Sequence, residues 1–242
     1  MEAAELVRAF AFLGAGISMG FGAIGAGAGE GYAAGEACSG TSRQPAAAAS
    51  IARTMLIGQA MAESSSIFAL VVAIMLLFVV KFSGATLNQG VAFLGAGIAM
   101  GFGALGGGLG CGFPAGTACQ GVARRPEGQN QLMTMMLIGQ GVAQTPSVLS
   151  FVVALLLMYK AYGGASIVTM GAVLGAGIGM GMGAIGCGIG SGYGAGDACS
   201  ALGRWPENRG LILRTMLVGQ AVAQSTSVYA LLVAILMIVF FA

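Results

Sequence analysis

Charge is what this chain has least of: 7% of its 242 residues are Asp, Glu, Lys or Arg, against roughly 25% in a soluble domain. With 57% hydrophobic residues and a mean hydropathy of +0.90, that shortage excludes a soluble globular protein and implies an integral membrane protein. Histidine is absent altogether, which removes the commonest metal ligand and acid–base group. The ten basic residues gather into no patch of the kind that phosphate recognition needs, so nucleic acid is excluded as a partner. Five cysteines, Cys38, Cys111, Cys119, Cys187 and Cys199, are odd in number and have no metal-ligand spacing. Set among Gly and Ala in predicted helices, they read as small buried packing residues. The opening MEAAELVRAF places Glu2 and Glu5 ahead of Arg8 and lacks the basic leading region of a secretory signal, so the first apolar helix is expected to stay in the mature protein.

What the chain does have is glycine, 44 residues of it, and an internal repeat. LGAG begins at Leu13, Leu94 and Leu174, and MLxGQ begins at Met55, Met136 and Met216, with spacings of 81 and 80 residues in both series. Arg43, Arg124 and Arg204 each start an R-x-P loop whose prolines are Pro45, Pro126 and Pro206. One hairpin is therefore written three times, over 1–83, 84–163 and 164–242. In each copy the first apolar segment is Gly-rich, from Gly14 to Gly31, Gly95 to Gly112 and Gly175 to Gly192, as in helices whose backbones approach closely in lipid. The string Gly20 to Gly25 matches G-x-G-x-x-G, but no strand precedes it and no Lys follows, which argues against a phosphate loop. The second segment of each copy is rich in Leu, Ile, Val, Met and Phe, like a helix facing lipid. The fold class expected is an all-α membrane protein of six transmembrane helices in three tandem helical hairpins.

Seven of the ten basic residues (Arg43, Arg53, Arg124, Arg125, Arg204, Arg209 and Arg214) lie at the R-x-P loops, against Arg8, Lys81 and Lys160 on the opposite side. The positive-inside rule then puts these loops in the cytoplasm and both termini on the other side.

Within Met55 to Phe78, MLIGQAMAESSSIFALVVAIMLLF, a single carboxylate, Glu63, sits inside an apolar run long enough to span a bilayer. An ionisable group in that setting is a functional site by default. Counting from Pro45 puts Glu30 and Glu63 roughly 20 Å from the loop on the two arms, at similar depth and able to face each other. The same count reaches Cys111 and Gln144 in the second copy, and Ser191 and Gln224 in the third. Gln is a near isostere that cannot carry the negative charge a cation needs, so Gln144 and Gln224 are lost-acid positions and the stoichiometry is one ion per three hairpins. Glu36, Glu127, Asp197 and Glu207 lie at or near the loops, where solvated or helix-end roles fit.

The stretches GAGAGEGYAAGEACSGTSRQP (Gly25 to Pro45) and Met55 to Phe78 resemble the c subunit, or proteolipid, of rotary ATPases of the F and V/A types. The resemblance extends over all three copies. It implies a homo-oligomeric c-ring of identical chains in the lipid membrane, turned against an a-type stator subunit and joined to central-stalk subunits at the R-x-P loops. It also implies a non-catalytic subunit, with ATP handled elsewhere in the complex. In sodium-binding members of the family an inner-helix Gln or Glu joins the outer-helix Glu, with a hydroxyl directly after it. Those positions here are Glu30, Glu63 and Ser64, and Met61 is counted with them as an ion-site residue. Na+ is the expected ion, with H+ alone as the alternative. Two carboxylates so close do not both stay charged, so one carries a proton beside the ion. The family's neighbouring hairpin contributes a carbonyl, a hydroxyl and a Tyr. The third copy keeps that set as Val222, Ser225 and Tyr229, whereas the second reads Val142, Thr145 and Leu149, with Pro146 beside its hydroxyl. The ion site is accordingly expected between hairpin 1 of one chain and hairpin 3 of the next, with an intrachain site using Val142 and Thr145 as the alternative.

A rotor with an acid in one hairpin of three moves few ions per turn, which suits ATP-driven pumping. The rival readings are a repeat-built secondary transporter or channel, for which Pro146 is the candidate helix break, and a pore-less membrane scaffold, which leaves Glu30 and Glu63 without a purpose.

Overall fold

The computed structural model describes residues 2–80, 86–163 and 166–242. Its six long helices are α1 (Glu2–Arg43), α2 (Ala48–Ile74), α3 (Leu87–Arg124), α4 (Gln129–Tyr159), α5 (Ile167–Arg204) and α6 (Arg209–Leu236). All six are long and apolar enough to cross a membrane. The hairpin boundaries expected at 83/84 and 163/164, and Lys81, involve positions outside the described residues.

Each R-x-P loop ends one helix and starts the next by the same chemistry. Gln44, Arg125 and Trp205 leave the helical region because a proline follows, with φ of −136°, −143° and −132°. The proline then occupies the first position of a three-residue 3-10 turn, where its missing N–H costs nothing. At the other end α3 starts from Thr86, whose side chain accepts a bond from the Gln89 amide. A π turn closes the first and third hairpins, at Met75–Val79 and Met237–Phe241.

The helices form two layers. α1, α3 and α5 pack side by side with α3 in the middle, while α2 covers α1 and α3, α4 covers α3 and α5, and α6 rests on α5 alone apart from its edge on α4. Glycine permits the inner row. A Cβ at Gly97 would stand 2.1 Å from the Gly14 carbonyl oxygen, and one at Gly177 would stand 2.3 Å from that of Gly95, so any larger residue would drive the inner helices apart. Cover is unequal along the row: the most apolar window of α3 is 78% buried and that of α6 only 17%. The chain therefore has two open edges, one along α1 and α2 and one along α5 and α6.

Two apolar cores lie at the two ends of the bundle. One, near the R-x-P loops, gathers Ile51, Val122, Leu132, Met136 and Leu202. The other, toward the termini, gathers Val7, Phe93, Met100, Leu157 and Met180. Between them runs a belt of buried polar groups that includes Ser65, Gln140, Gln144, Ser147, Ser191 and Gln220.

Two expectations need correction. Cys38 is exposed, whereas Cys111, Cys119, Cys187 and Cys199 are buried as packing residues, because Cys38 lies on α1, at an open edge. Pro146 is not the sole proline inside a helix, since Pro114 lies inside α3, and both α3 and α4 run through their prolines without a break. The broken helix on which a secondary transporter would be built is thus not found at Pro146.

Candidate ion-binding site

The polar belt repeats one arrangement three times. In hairpin 1, Gln59 of α2 donates from Nε2 to the Glu30 carbonyl of α1 at 3.0 Å. Glu63 lies one turn further along α2 and is exposed within the chain, while Glu30 is half-buried. In hairpin 2, Gln140 donates to the Cys111 carbonyl and to the Gly58 carbonyl, both at 2.9 Å. In hairpin 3, Gln220 donates to the Ser191 and Gly139 carbonyls, both at 3.0 Å. Each of these two glutamines ties its own inner helix to the outer helix of the preceding hairpin.

The lost-acid positions follow the same direction. Gln144 Nε2 has three acceptors within reach for its two hydrogens: Ser64 Oγ, Ser65 Oγ at 3.3 Å and the Met61 carbonyl at 3.4 Å. Gln224 donates to the Val142 carbonyl at 2.8 Å and to Ser191 Oγ at 3.1 Å. Met61 and Ser64 are therefore grouped with Gln144 of hairpin 2, and Val142 with Gln224 of hairpin 3. Thr145 turns back to the Gly141 carbonyl of its own helix at 3.4 Å. Val222, Ser225 and Tyr229 lie together on the open side of α6, where Val222 is 69% and Tyr229 63% exposed. Ser225 Oγ donates to the Val222 carbonyl at 2.7 Å, the same local bond that Ser64 makes to Met61 at 2.6 Å. Among the described residues of one chain, no side-chain hydrogen bond joins this trio to Glu63.

The residues of the belt that sequence reasoning misses are the glutamines of the MLxGQ motif, Gln59, Gln140 and Gln220, which bond the helices together. Their signal is present, because all three copies keep an amide at a depth where apolar residues prevail. Chemically, the belt offers hard oxygen ligands: two carboxylates, backbone carbonyls and hydroxyls. Among the described residues no cluster of three His, Cys, Asp or Glu could hold a metal. An alkali cation or a proton is the cargo such a donor set can carry.

Six helices able to cross a membrane, in three tandem hairpins of which the first carries Glu30 and Glu63, define a repeat-built membrane protein of the ion-carrying kind. The family model for the ATP synthase C subunit matches residues 13–76, 94–157 and 174–237, once in each hairpin. The chain belongs to this ATP synthase C-subunit family, the ion-translocating rotor-ring subunits of rotary ATPases, in a triple-hairpin form. Similar relatives include the ATP synthase c subunit of Mesomycoplasma hyopneumoniae (strain 7448), 53% identical over 73 residues, which are 30% of this chain and 71% of the relative. The c subunit of Natranaerobius thermophilus is 49% identical over 78 residues, 32% of this chain and 90% of the relative. A Cereibacter sphaeroides relative, ATP synthase c subunit 2, is 41% identical over 80 residues, 33% of this chain and 96% of the relative. Each relative thus corresponds to about one of the three hairpins.

Proposed function

We propose that this rotor protein carries Na+, one ion per chain, in a seat formed by Glu30 and Glu63 and completed by Val222, Ser225 and Tyr229 of the neighbouring copy. The observation that carries this reading is the direction of the repeat. Gln144 reaches back to hairpin 1 and Gln224 reaches back to hairpin 2, so Glu63 reaches back to a hairpin that precedes its own chain. In a ring of identical chains that is hairpin 3 of the neighbour, with the Val222 carbonyl standing where Met61 and Val142 stand in the other two hairpins. Gln59 agrees, since its counterparts Gln140 and Gln220 also reach the preceding glycine carbonyl, which for Gln59 is that of the neighbour's Gly219.

The open edges match this assembly. A Cβ added at Gly16, Gly20, Gly27 or Gly31 on α1 would meet no other part of the chain within 4 Å, yet these are the register equivalents of Gly97, Gly101, Gly108 and Gly112, which press on α1 from α3. On the other side, α5 and α6 leave a groove of about 530 Å³ lined by Gly190, Gly194, Thr215 and Gly219, which receives the neighbour's α1.

Sodium is favoured because the seat combines two carboxylates with a hydroxyl and a carbonyl, hard oxygens that compensate a dehydrated cation. A proton needs one carboxylate only. As the ring turns against an a-type stator, the Glu63 carboxylate releases its ion to one side and takes the next from the other. The R-x-P loops, with their seven arginines, face the cytoplasm and the central stalk, and both termini lie opposite. One ion per three hairpins biases the machine toward ATP-driven pumping against a steep gradient. That bias fails if single-hairpin subunits bearing the acid share the ring. The test of the sodium seat is labelling of the purified ring with a hydrophobic carbodiimide, mapped over a pH series with and without sodium. Modification at Glu63 that millimolar sodium suppresses supports the reading, and modification that follows pH alone makes the rotor a proton carrier.

A further inference from the structure

We infer that hairpin 3 holds a closed copy of the ion site, in which the Gln224 amide nitrogen takes the cation's place. This rests on the reading of Glu63 as the ion seat. Gln224 stands at the Glu63 position, Ser191 at the Glu30 position and Val142 at the position of the carbonyl that the preceding hairpin supplies. Gln224 Nε2 lies 2.8 Å from the Val142 carbonyl oxygen and 3.1 Å from Ser191 Oγ, the two oxygens that would ligate a cation there. An amide nitrogen has two hydrogens to give, and both are spent on those oxygens. Ser227 Oγ donates to the Gln224 backbone carbonyl at 2.8 Å, with Gln224 Oε1 further off at 3.3 Å as a second acceptor of the same hydrogen.

The Val142 carbonyl is free for this role for a covalent reason. Its intrahelical partner would be the amide of residue 146, which is Pro146 and has no N–H. A carbonyl left without a donor inside the membrane is costly, and Gln224 supplies the missing donor. Pro146 thus prepares a ligand rather than breaking a helix. A neutral amide has the same net charge as a carboxylate with its sodium ion, so hairpin 3 is held in the equivalent of the loaded state and crosses lipid without exchanging anything. Hairpin 2 draws its oxygens differently. Gln144 has Ser64, Ser65 and Met61 as acceptors, but its inner-helix position is Cys111, whose thiol contacts the Gln140 carbonyl at 3.6 Å and offers no hard oxygen. Hairpin 3 is therefore the silent copy in which one substitution meets oxygens from both its own inner helix and the preceding hairpin, whereas at Gln144 the oxygens come from hairpin 1 alone.

The test uses whole rings of Gln224→Glu and Gln144→Glu, labelled with carbodiimide and mapped at residues 63, 144 and 224 with and without sodium. The expected result is that position 224 becomes a second sodium-protected site, doubling the protected sites per chain, while position 144, which lacks an inner-helix oxygen, is protected only at higher sodium. Sodium protection at Glu63 with none at position 224 overturns the inference and leaves the ion seat standing. No protection at either position overturns the sodium reading and the inference with it. If Gln224→Glu does not assemble, Ser191→Glu with Gln224→Glu reproduces the acid pair of hairpin 1 and is judged by the same criterion. Failure of both to assemble, while Gln224→Ala assembles, contradicts a seat able to take a carboxylate with its cation.

Discussion

Replacing Gly31 by Ala separates the folding of the chain from the closing of the ring. Within the chain Gly31 has no atom within 4 Å of an added Cβ, so the substitution leaves the fold intact and gains about 1 kcal/mol of helix propensity. At the seam between copies the outcome reverses. The two register equivalents inside the chain show what a Cβ would meet: Gly112 would bring one to 2.4 Å from the Gly29 Cα, and Gly192 to 2.2 Å from the Gly110 carbonyl oxygen. Ordinary contact begins near 3.4 Å, so the facing helices must part by roughly 1 Å, and overpacking of this kind costs about 1–3 kcal/mol. That is a loss of about 5- to 150-fold in affinity at each seam, repeated around the ring. The assay is native mass spectrometry of the detergent-solubilised ring beside circular dichroism of the chain. The expected result is undiminished helicity with loss of closed rings. Gly141→Ala is the control, because Gly141 also has no neighbour within 4 Å and the other two copies carry Ala60 and Ala221 at that position. Closed rings of normal yield with Gly31→Ala would refute the packing of α1 against the neighbour's α5.

Other consequences can be measured on the same preparation. Tyr229→Phe weakens sodium protection of Glu63 by about tenfold, near 1.4 kcal/mol, because the tether lies across the seam, whereas a site inside one chain predicts no change. Gln140→Leu removes two bonds of 2.9 Å that join α4 to α2 and α3 and lowers ring stability by about 1–3 kcal/mol, read as a lower thermal midpoint in detergent, with sodium protection at Glu63 retained. Withdrawing sodium lowers the thermal midpoint of the wild-type ring, by the equivalent of about 2.7 kcal/mol per site when the ion had stood at a hundred times its Kd. Glu63→Gln abolishes that dependence.

Much of this architecture is legible in the sequence because its regularities are one-dimensional. A repeat of 81 and 80 residues fixes three hairpins, and a constant rise per helical residue gives depth, which is how Glu30 and Glu63 are assigned similar depths by counting alone. Lateral order is not carried by spacing. Nothing in the chain order says that an outer helix leans toward the hairpin after its own, so spacing alone does not show that Met61 and Ser64 pack with Gln144. The amides of Gln59, Gln140 and Gln220 are hard to single out for a related reason: their role lies in bonds to backbone carbonyls, which leave no mark on residue identity. Cys38 departs from expectation because its small, apolar company suggests burial, and an open edge exposes such company as readily as a core hides it.

The most direct measurement is a high-resolution structure of the purified ring in sodium, with ion density located and counted. One ion per chain is predicted, at the seam, held by Glu30 and Glu63 of one copy and the Val222 carbonyl of the next, with none at Gln144 or Gln224. Ions at the second and third hairpins, or Glu63 paired with Val142 of its own chain, would contradict the account.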